Sequence, residues 1–325
     1  MQDNITSRKT LKHEFVLEFL GSSNFEICAL PADASFRKYD RVKLAENSFI
    51  LMDCPKEYYS LDPFIVIAKF LLDNDFSAPK IFHIDHGNGF LLLEDFGDLN
   101  LGKYLLAQNE ETKLRTYQLI LDLLSKLQSI KPLNHLSYHS KELLLQELSI
   151  FTDWYVPHIK GKQWDNSQKT DFFAIWSELL DSKTDIGSYT SLKDYHVENM
   201  MLLSRDGINS IGLLDFQDAV IGSPIYDVVS VLEDARFELS RSFALECLDY
   251  YTSQNKHFDA NKVYFNYHLL RAQRNSRILG VFAKKAARDK QQGYLKYIPT
   301  ILKYLEHDLS HTNLMPLKLW MQKNL

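Results

Sequence analysis

A chain of 325 residues is longer than one ordinary domain of ~100–200 residues, so two lobes or domains around a shared cleft are the first expectation. Its 45% hydrophobic, 24% charged and 13% aromatic residues exclude disorder as the main state. The excess of 42 acidic over 37 basic residues, a formal net charge of -5, argues against a general affinity for nucleic acid or anionic membrane.

The first residues interrupt their apolar positions with Lys12, His13, Glu14 and Glu18, and no stretch approaches ~18 uncharged apolar residues, so neither a signal peptide nor a membrane span is expected. Residues 11–20 read as a short helix, and 25–30 and 48–53 as strands, being short apolar runs with polar flanks. Residues 62–74 carry helical apolar spacing behind Asp62 and Pro63, a helix start. Strands resume at 80–84 and 90–95 around the turn His86-Gly87-Asn88-Gly89. The opening third is thus a β-rich unit with one inserted helix.

After Glu94-Asp95-Phe96-Gly97 the pattern turns to long helical periodicity, over 112–130, 141–155, 168–181, 227–236, 240–254, 259–285 and 291–309. That shift places a lobe boundary near residue 97, with a nucleotide-binding lobe over 1–96 and a helical lobe over 97–325. One β interruption lies at 191–218, where Asp206-Gly207 forms the turn of a hairpin. Cys28, Cys54 and Cys247 are far apart with no C-x-x-C, which suggests neither a disulfide framework nor a zinc cluster and fits a reducing cytoplasm.

The hairpin arms Met200–Ser204 and Ser210–Leu214 are equal in length, so their pairing brings Asn199 beside Asp215. Asp194 stands five residues before Asn199. Asp-to-Asn spacing of this kind, followed by Asp215-Phe216, is that of the protein-kinase catalytic loop and metal-binding aspartate. Phosphoryl transfer needs such groups: Mg2+ prefers oxygen ligands such as the Asp215 carboxylate and the Asn199 amide carbonyl, while Asp194 can orient an attacking hydroxyl and accept its proton. Each residue alone reads as a loop cap or strand terminator; the joint spacing favours the chemistry.

These residues resemble the aminoglycoside phosphotransferase and choline-kinase-like enzymes, and more closely their bacterial branch of N-acetylmuramate/N-acetylglucosamine anomeric kinases. The likeness is carried by ADASFRKY at 32–39, LMDCPKE at 51–57, GFLLLEDFG at 89–97, LKDYHVENMM at 192–201, residues 213–236, and QRNSRILGVFAKKAARDKQQGYLKYIP at 273–299. It implies an α+β, protein-kinase-like bilobal fold with a small β-rich N-lobe and a large helical C-lobe. It also implies ATP between the lobes, Asp194 as catalytic base, Asn199 and Asp215 as Mg2+ ligands, and Glu94, Asp95 and Phe96 as the hinge whose backbone pairs with adenine.

The chain departs from the wider kinase pattern in having no G-x-G-x-x-G and no P-loop motif among only 12 glycines. The phosphate-covering turn would then be Asp33-Ala34-Ser35-Phe36-Arg37, cradling phosphate through backbone N–H groups and the Ser35 hydroxyl. The strand lysine is also missing, because 48–53 ends on Met52-Asp53. Arg37 or Lys38 is expected to supply that cation.

Around the substrate, His196 reads as a hydrogen-bonding residue that orients the catalytic loop rather than a second base, and is carried as a substrate candidate. Asp218 and Asp227 could touch metal or loop backbone, and Asp227 reads as the N-cap of the next helix. Arg271, Arg274 and Arg277 recur at three-residue steps, placing them near one face. They form either a solvated stripe or a site in which Arg271 or Arg274 pairs with an anionic substrate group such as the lactyl carboxylate of N-acetylmuramate. Trp154 and Tyr155 are sugar-stacking candidates or core. The whole describes a cytoplasmic, monomeric, ATP-dependent kinase of a cell-wall amino sugar's anomeric hydroxyl, with an aminoglycoside or choline kinase and a catalytically silent nucleotide-binding scaffold as the alternatives.

Overall fold

The structure, a computed structural model, describes residues 2–31, 37–58, 60–181 and 188–325, the first five of them by backbone alone. The chain divides into two compact units, Met1–Ala107 with Val197–Asp218, and Gln108–His196 with Ala219–Leu325.

Unit 1 is built on a five-stranded antiparallel sheet of order β1-β2-β3-β5-β4. Its elements are α1 (Gln2–Leu20), β1 (Glu26–Ala29), β2 (Lys38–Leu44), β3 (Asn47–Asp53), α2 (Asp62–Asp73), β4 (Ile81–Asp85), β5 (Phe90–Glu94) and α3 (Leu101–Leu106). The strand β2 was not expected: its charged residues Asp40, Arg41 and Lys43 conceal the period-2 alternation. Side chains alternate along it. Val42, with Leu51, Phe90 and Leu92, packs beneath Phe15 and Val16 of α1, while Tyr39 and Arg41 face the other side with Ile50 and Leu93. Two carboxylates lie on the α1 side, and α1 neutralises both: Lys12 Nζ reaches Asp40 at 2.7 Å and Asp53 at 2.8 Å, and Arg8 reaches Asp53 at 2.5 Å. Burial pushes the Asp53 carboxyl up, but Arg8 and Lys12 outweigh it and hold it below the usual range.

The hairpin of β7 (Met200–Leu202) and β8 (Ile211–Leu213) belongs to unit 1, so the lobe boundary expected at residue 97 is replaced by a discontinuous unit. The reason is backbone hydrogen bonding. Leu213 N donates to Ser77 O at 2.7 Å and Leu202 N to Leu99 O at 2.9 Å, so the hairpin is completed by the chain that follows α2 and β5.

Unit 2 is helical: α4 (Glu110–Ser129), α5 (Lys141–Ile150), a π-helical turn (Phe151–Tyr155), α6 (Val156–His158), α7 (Asn166–Asp181), α8 (Ile225–Leu232), α9 (Arg241–Gln254), α10 (Ala260–Ala287), α11 (Ile298–Leu309) and α12 (Met315–Asn324). A two-stranded ribbon of β6 (Tyr189–Ser191) and β9 (Val220–Gly222) completes it. Several helices begin on side-chain caps, Asn109 for α4, Ser140 for α5, Ser240 for α9 and Asp259 for α10, each satisfying an orphan N–H. The 28-residue α10 forms the spine. Gly280 lies so close to the Ile150–Phe151 backbone that a Cβ would fall 2.4 Å from Ile150 O, so this contact admits only glycine.

Candidate active site

In unit 1, a cavity of about 500 Å³ lies against the Arg41 face of the sheet. Leu30, Ile50, Pro79, Leu93, Met201 and Leu214 give it an apolar wall, and Arg37, Arg41, Asn199 and Asp215 a polar one. The hairpin register, Met200↔Leu213, places Asn199 and Asp215 together as the sequence predicts, with Asn199 Nδ2 3.4 Å from Asp215 Oδ2. Asn100 Nδ2 holds the loop from behind by donating to Glu198 O at 2.7 Å, and Gln217 Nε2 donates to Asp215 Oδ1 at 2.7 Å. Asp215 has φ 55°, a left-handed conformation that costs free energy in a non-glycine residue and marks functional sites. The next residue anchors it: Phe216 is fully buried and packs on Phe64 of α2 with ring centroids 4.9 Å apart.

A carboxylate and an amide that can turn its oxygen to the same point form a hard-oxygen donor pair, which fits Mg2+. The Glu94–Asp98 segment is braced by its own acids. Arg41 of β2 contacts Asp95 Oδ2 at 2.7 Å and Asp98 Oδ1 at 2.7 Å and donates to Gly97 O at 3.1 Å. Glu94 pairs with Arg205 of the hairpin at 2.5 Å. The Phe96 ring lies under Gly212, where a Cβ would meet it at 2.8 Å. The Glu94, Asp95 and Phe96 side chains are therefore structural, and the backbone is what this segment can offer a nucleotide base.

Of the expected phosphate-binding residues, Ser35 and Phe36 lie outside the described residues, and Arg37 lines the cavity. Lys38 does not. It shares the α1 face of β2 with Asp40 and lines a separate cavity of about 780 Å³ with Arg8, Lys12 and Asp53, because one residue along a strand reverses the face. Arg41, missed in the sequence because β2 was missed, is a β2 cation that lines the cavity.

In unit 2, Asp194 is half-buried in a loop held by Asp227. Asp227 is not an N-cap, since α8 begins two residues earlier. Its buried carboxylate accepts from Ser191 Oγ (2.9 Å), Leu192 N (2.7 Å) and Lys193 N (3.0 Å). Burial pushes its pKa up to about 6 despite these bonds. Ser230 Oγ donates to Lys193 O at 3.1 Å, and Lys193 takes φ 65°, so the residue before the candidate base is held in a strained turn. His196 is 6% exposed, 3.8 Å from Asp234, and burial with nearby Arg236 lowers its pKa to about 3. Its burial beside Asp234 favours the structural reading over a substrate contact.

The arginine stripe on α10 separates into three roles, because three-residue steps at 3.6 residues per turn carry Arg271 and Arg277 roughly 120° apart. Arg271 is 1% exposed and sits between Glu233 Oε2 (3.1 Å) and Asp308 Oδ2 (3.3 Å). Its expected substrate role is overturned, since both carboxylates occupy it inside the core. Arg274 Nε donates to Ser230 Oγ at 3.1 Å and its guanidinium lies over the Tyr226 ring. Arg277 approaches Glu147 of α5 at 3.8 Å. Glu147 also receives Lys193 Nζ at 3.1 Å and His139 Nε2 at 3.3 Å. Burial opposes its charge, but His139, Arg277 and Lys193 prevail and lower its pKa to about 2. Trp154 stacks on His158 with centroids 5.2 Å apart and lies under Lys284, while Tyr155 is buried core.

A model of the phosphotransferase enzyme family matches residues 26–263. An N-acetylmuramate/N-acetylglucosamine kinase of Caulobacter vibrioides is 30% identical, over 91% of this chain and 91% of its own length. One of Pseudomonas putida is 30% identical over 86% and 82%. Among solved structures, an ADP-bound aminoglycoside phosphotransferase APH(2'')-Ib is similar with TM-score 0.63 at 14% identity, over 91% of this chain and 98% of its own. Choline kinase LicA of Streptococcus pneumoniae is similar with TM-score 0.64 at 13% identity, over 92% and 99%. Those two carry the fold alone, a bilobal protein-kinase-like one with a small antiparallel sheet and a large helical part. The chain belongs to the phosphotransferase enzyme family and is a kinase with an alcohol group as acceptor.

Proposed function

We propose that the chain is an ATP- and Mg2+-dependent kinase of the anomeric hydroxyl of N-acetylmuramate and N-acetylglucosamine, acting as a cytoplasmic monomer in the reuse of cell-wall amino sugars. The observation that carries the substrate choice is the charge around Asp194. Lys193, Arg274 and Arg277 gather in its unit, linked through Glu147 and Ser230. A polycationic aminoglycoside or a quaternary ammonium alcohol favours acidic or aromatic surroundings; an uncharged or anionic sugar tolerates these cations. The relatives' names support the same choice. Among the described residues no helix is long and apolar enough to cross a membrane.

Asp194 orients the 1-hydroxyl and takes its proton as the sugar oxygen forms its bond to the γ-phosphorus. The bond from that phosphorus to the β,γ-bridging oxygen breaks, and its electron pair leaves with ADP, so the products are the sugar 1-phosphate and ADP. An anomeric hydroxyl is more acidic than an ordinary alcohol, so a carboxylate suffices as base. Asn199 and Asp215 would hold the metal, which supplies charge neutralisation along the phosphates when bound. The Arg41-braced hinge and the apolar wall receive the base, and Arg37 lies at the polar wall.

The test is ADP release by the purified protein with ATP and Mg2+ against N-acetylmuramate, N-acetylglucosamine, kanamycin and choline. The expected product is a sugar phosphate with the acid lability of a 1-phosphate. Turnover of kanamycin or choline alone, or an acid-stable 6-phosphate, would overturn the reading.

A further inference from the structure

The two sugars in the relatives' names differ by one group, the lactyl ether on O3 of N-acetylmuramate, which adds a carboxylate. Resting on the sugar-kinase reading, we propose that Arg277 is the residue that recognises this carboxylate and so sets the preference between the two acceptors.

Three observations single it out. Arg271 is consumed by Glu233 and Asp308 in the core. Arg274 is committed to Ser230 and the Tyr226 ring, and through Ser230 to the backbone of the catalytic loop. Arg277, with Tyr226 and Glu147 as its electrostatic neighbours, makes no hydrogen bond among the described residues: its side chain is 31% exposed, and its 3.8 Å approach to Glu147 is beyond hydrogen-bonding reach. A guanidinium in that condition retains donors for a planar carboxylate. Contacts also tie it to the chemistry. Glu147 is the shared partner of Arg277 and of Lys193, the residue next to Asp194, and Arg277 lies within electrostatic range of Asp194 itself. On a pyranose, C3 is separated from C1 by one ring carbon, so a group on O3 lies about one ring width from the hydroxyl that Asp194 serves. Glu147 has its own role: His139, Lys193 and Gln273 are its partners besides Arg277, so it helps keep Arg277 in place while its other partners limit how far it competes with the substrate carboxylate for that guanidinium.

The full-length protein is compared with Arg277→Gln and Arg277→Lys, measuring kcat/KM for N-acetylmuramate, its lactyl methyl ester and N-acetylglucosamine. The kcat/KM ratio of N-acetylmuramate to N-acetylglucosamine should fall about 10- to 100-fold in Arg277→Gln, as for loss of a charged hydrogen-bonding pair, chiefly through KM, with partial recovery in Arg277→Lys. The ester should lose a similar factor on the native enzyme and nothing further on the glutamine variant. Since the readout is a ratio, general damage to the fold or to Asp194 cancels from it. An unchanged ratio, or an ester that falls further on the variant, would overturn the role of Arg277 while leaving the sugar-kinase reading intact; failure of the native protein to phosphorylate either sugar would overturn both.

Discussion

Asp194 and the Asn199–Asp215 pair are separable by experiment because the proposed function gives them different work. Asp194→Asn keeps the shape of the side chain and removes the proton acceptor. It should lower kcat by about 10²- to 10⁴-fold and leave the nucleotide KM within about threefold, as steady-state kinetics will show; near-native turnover would remove Asp194 from the base role. Both features were legible in the sequence because their geometry is local: five residues of loop and one short hairpin. Arg41 was not, since its role depends on recognising KYDRVKL as a strand through its charges. Glu147 was not either, because what makes it a hub is the convergence of His139, Lys193 and Arg277 from three separate parts of the chain.

The elements are held by buried charge at several points, and pH addresses one of them. With a folded-state pKa of about 2 against an ordinary 4.5, Glu147 contributes stability that is fully present above about 4.5 and is lost as pH falls toward 2. The shift corresponds to roughly 3 kcal/mol at neutral pH. Glu147→Gln should therefore lower stability at pH 7 and flatten the acid limb of a denaturation series between pH 4.5 and 2; an unchanged limb would show that Glu147 is not the group responsible. Arg271 fastens α10 to α11 and to the end of α8. Burial pushes the carboxyls of Glu233 and Asp308 up, against the pull of Arg271. Arg271→Gln leaves two buried carboxyls without that cation and should cost about 3–5 kcal/mol, read by chemical denaturation, while the sugar KM of the folded fraction stays within about twofold of native. A selective loss of N-acetylmuramate affinity would instead restore the substrate role that burial argues against. The longer helices of unit 2 from α4 to α11 were legible from periodicity, whereas the π-helical turn at 151–155 was absorbed into the single helix expected over 141–155.

At the scale of the whole molecule the described lining of the proposed nucleotide cavity belongs to unit 1, while Asp194 and the arginines of α10 belong to unit 2. ADP with Mg2+ should then stabilise unit 1 preferentially, by about 2.7 kcal/mol at a hundredfold excess over Kd. Hydrogen exchange should show the gain in β1–β5 and the 200–213 hairpin, and Asn199→Ala should lose its metal-dependent share. Protection gained only in α10 and α11 would contradict this assignment. The division into a β-rich and a helical part was legible from composition, but its true boundaries were not, because composition cannot reveal a hairpin that returns to an earlier sheet.

That return bears on how the protein is made. The 89 residues from Gln108 to His196 must leave the ribosome before the hairpin that completes unit 1. At roughly 5–20 residues per second the nascent sheet waits several seconds without the partner of Ser77, and for that interval the emerging chain offers chaperones an incomplete first unit.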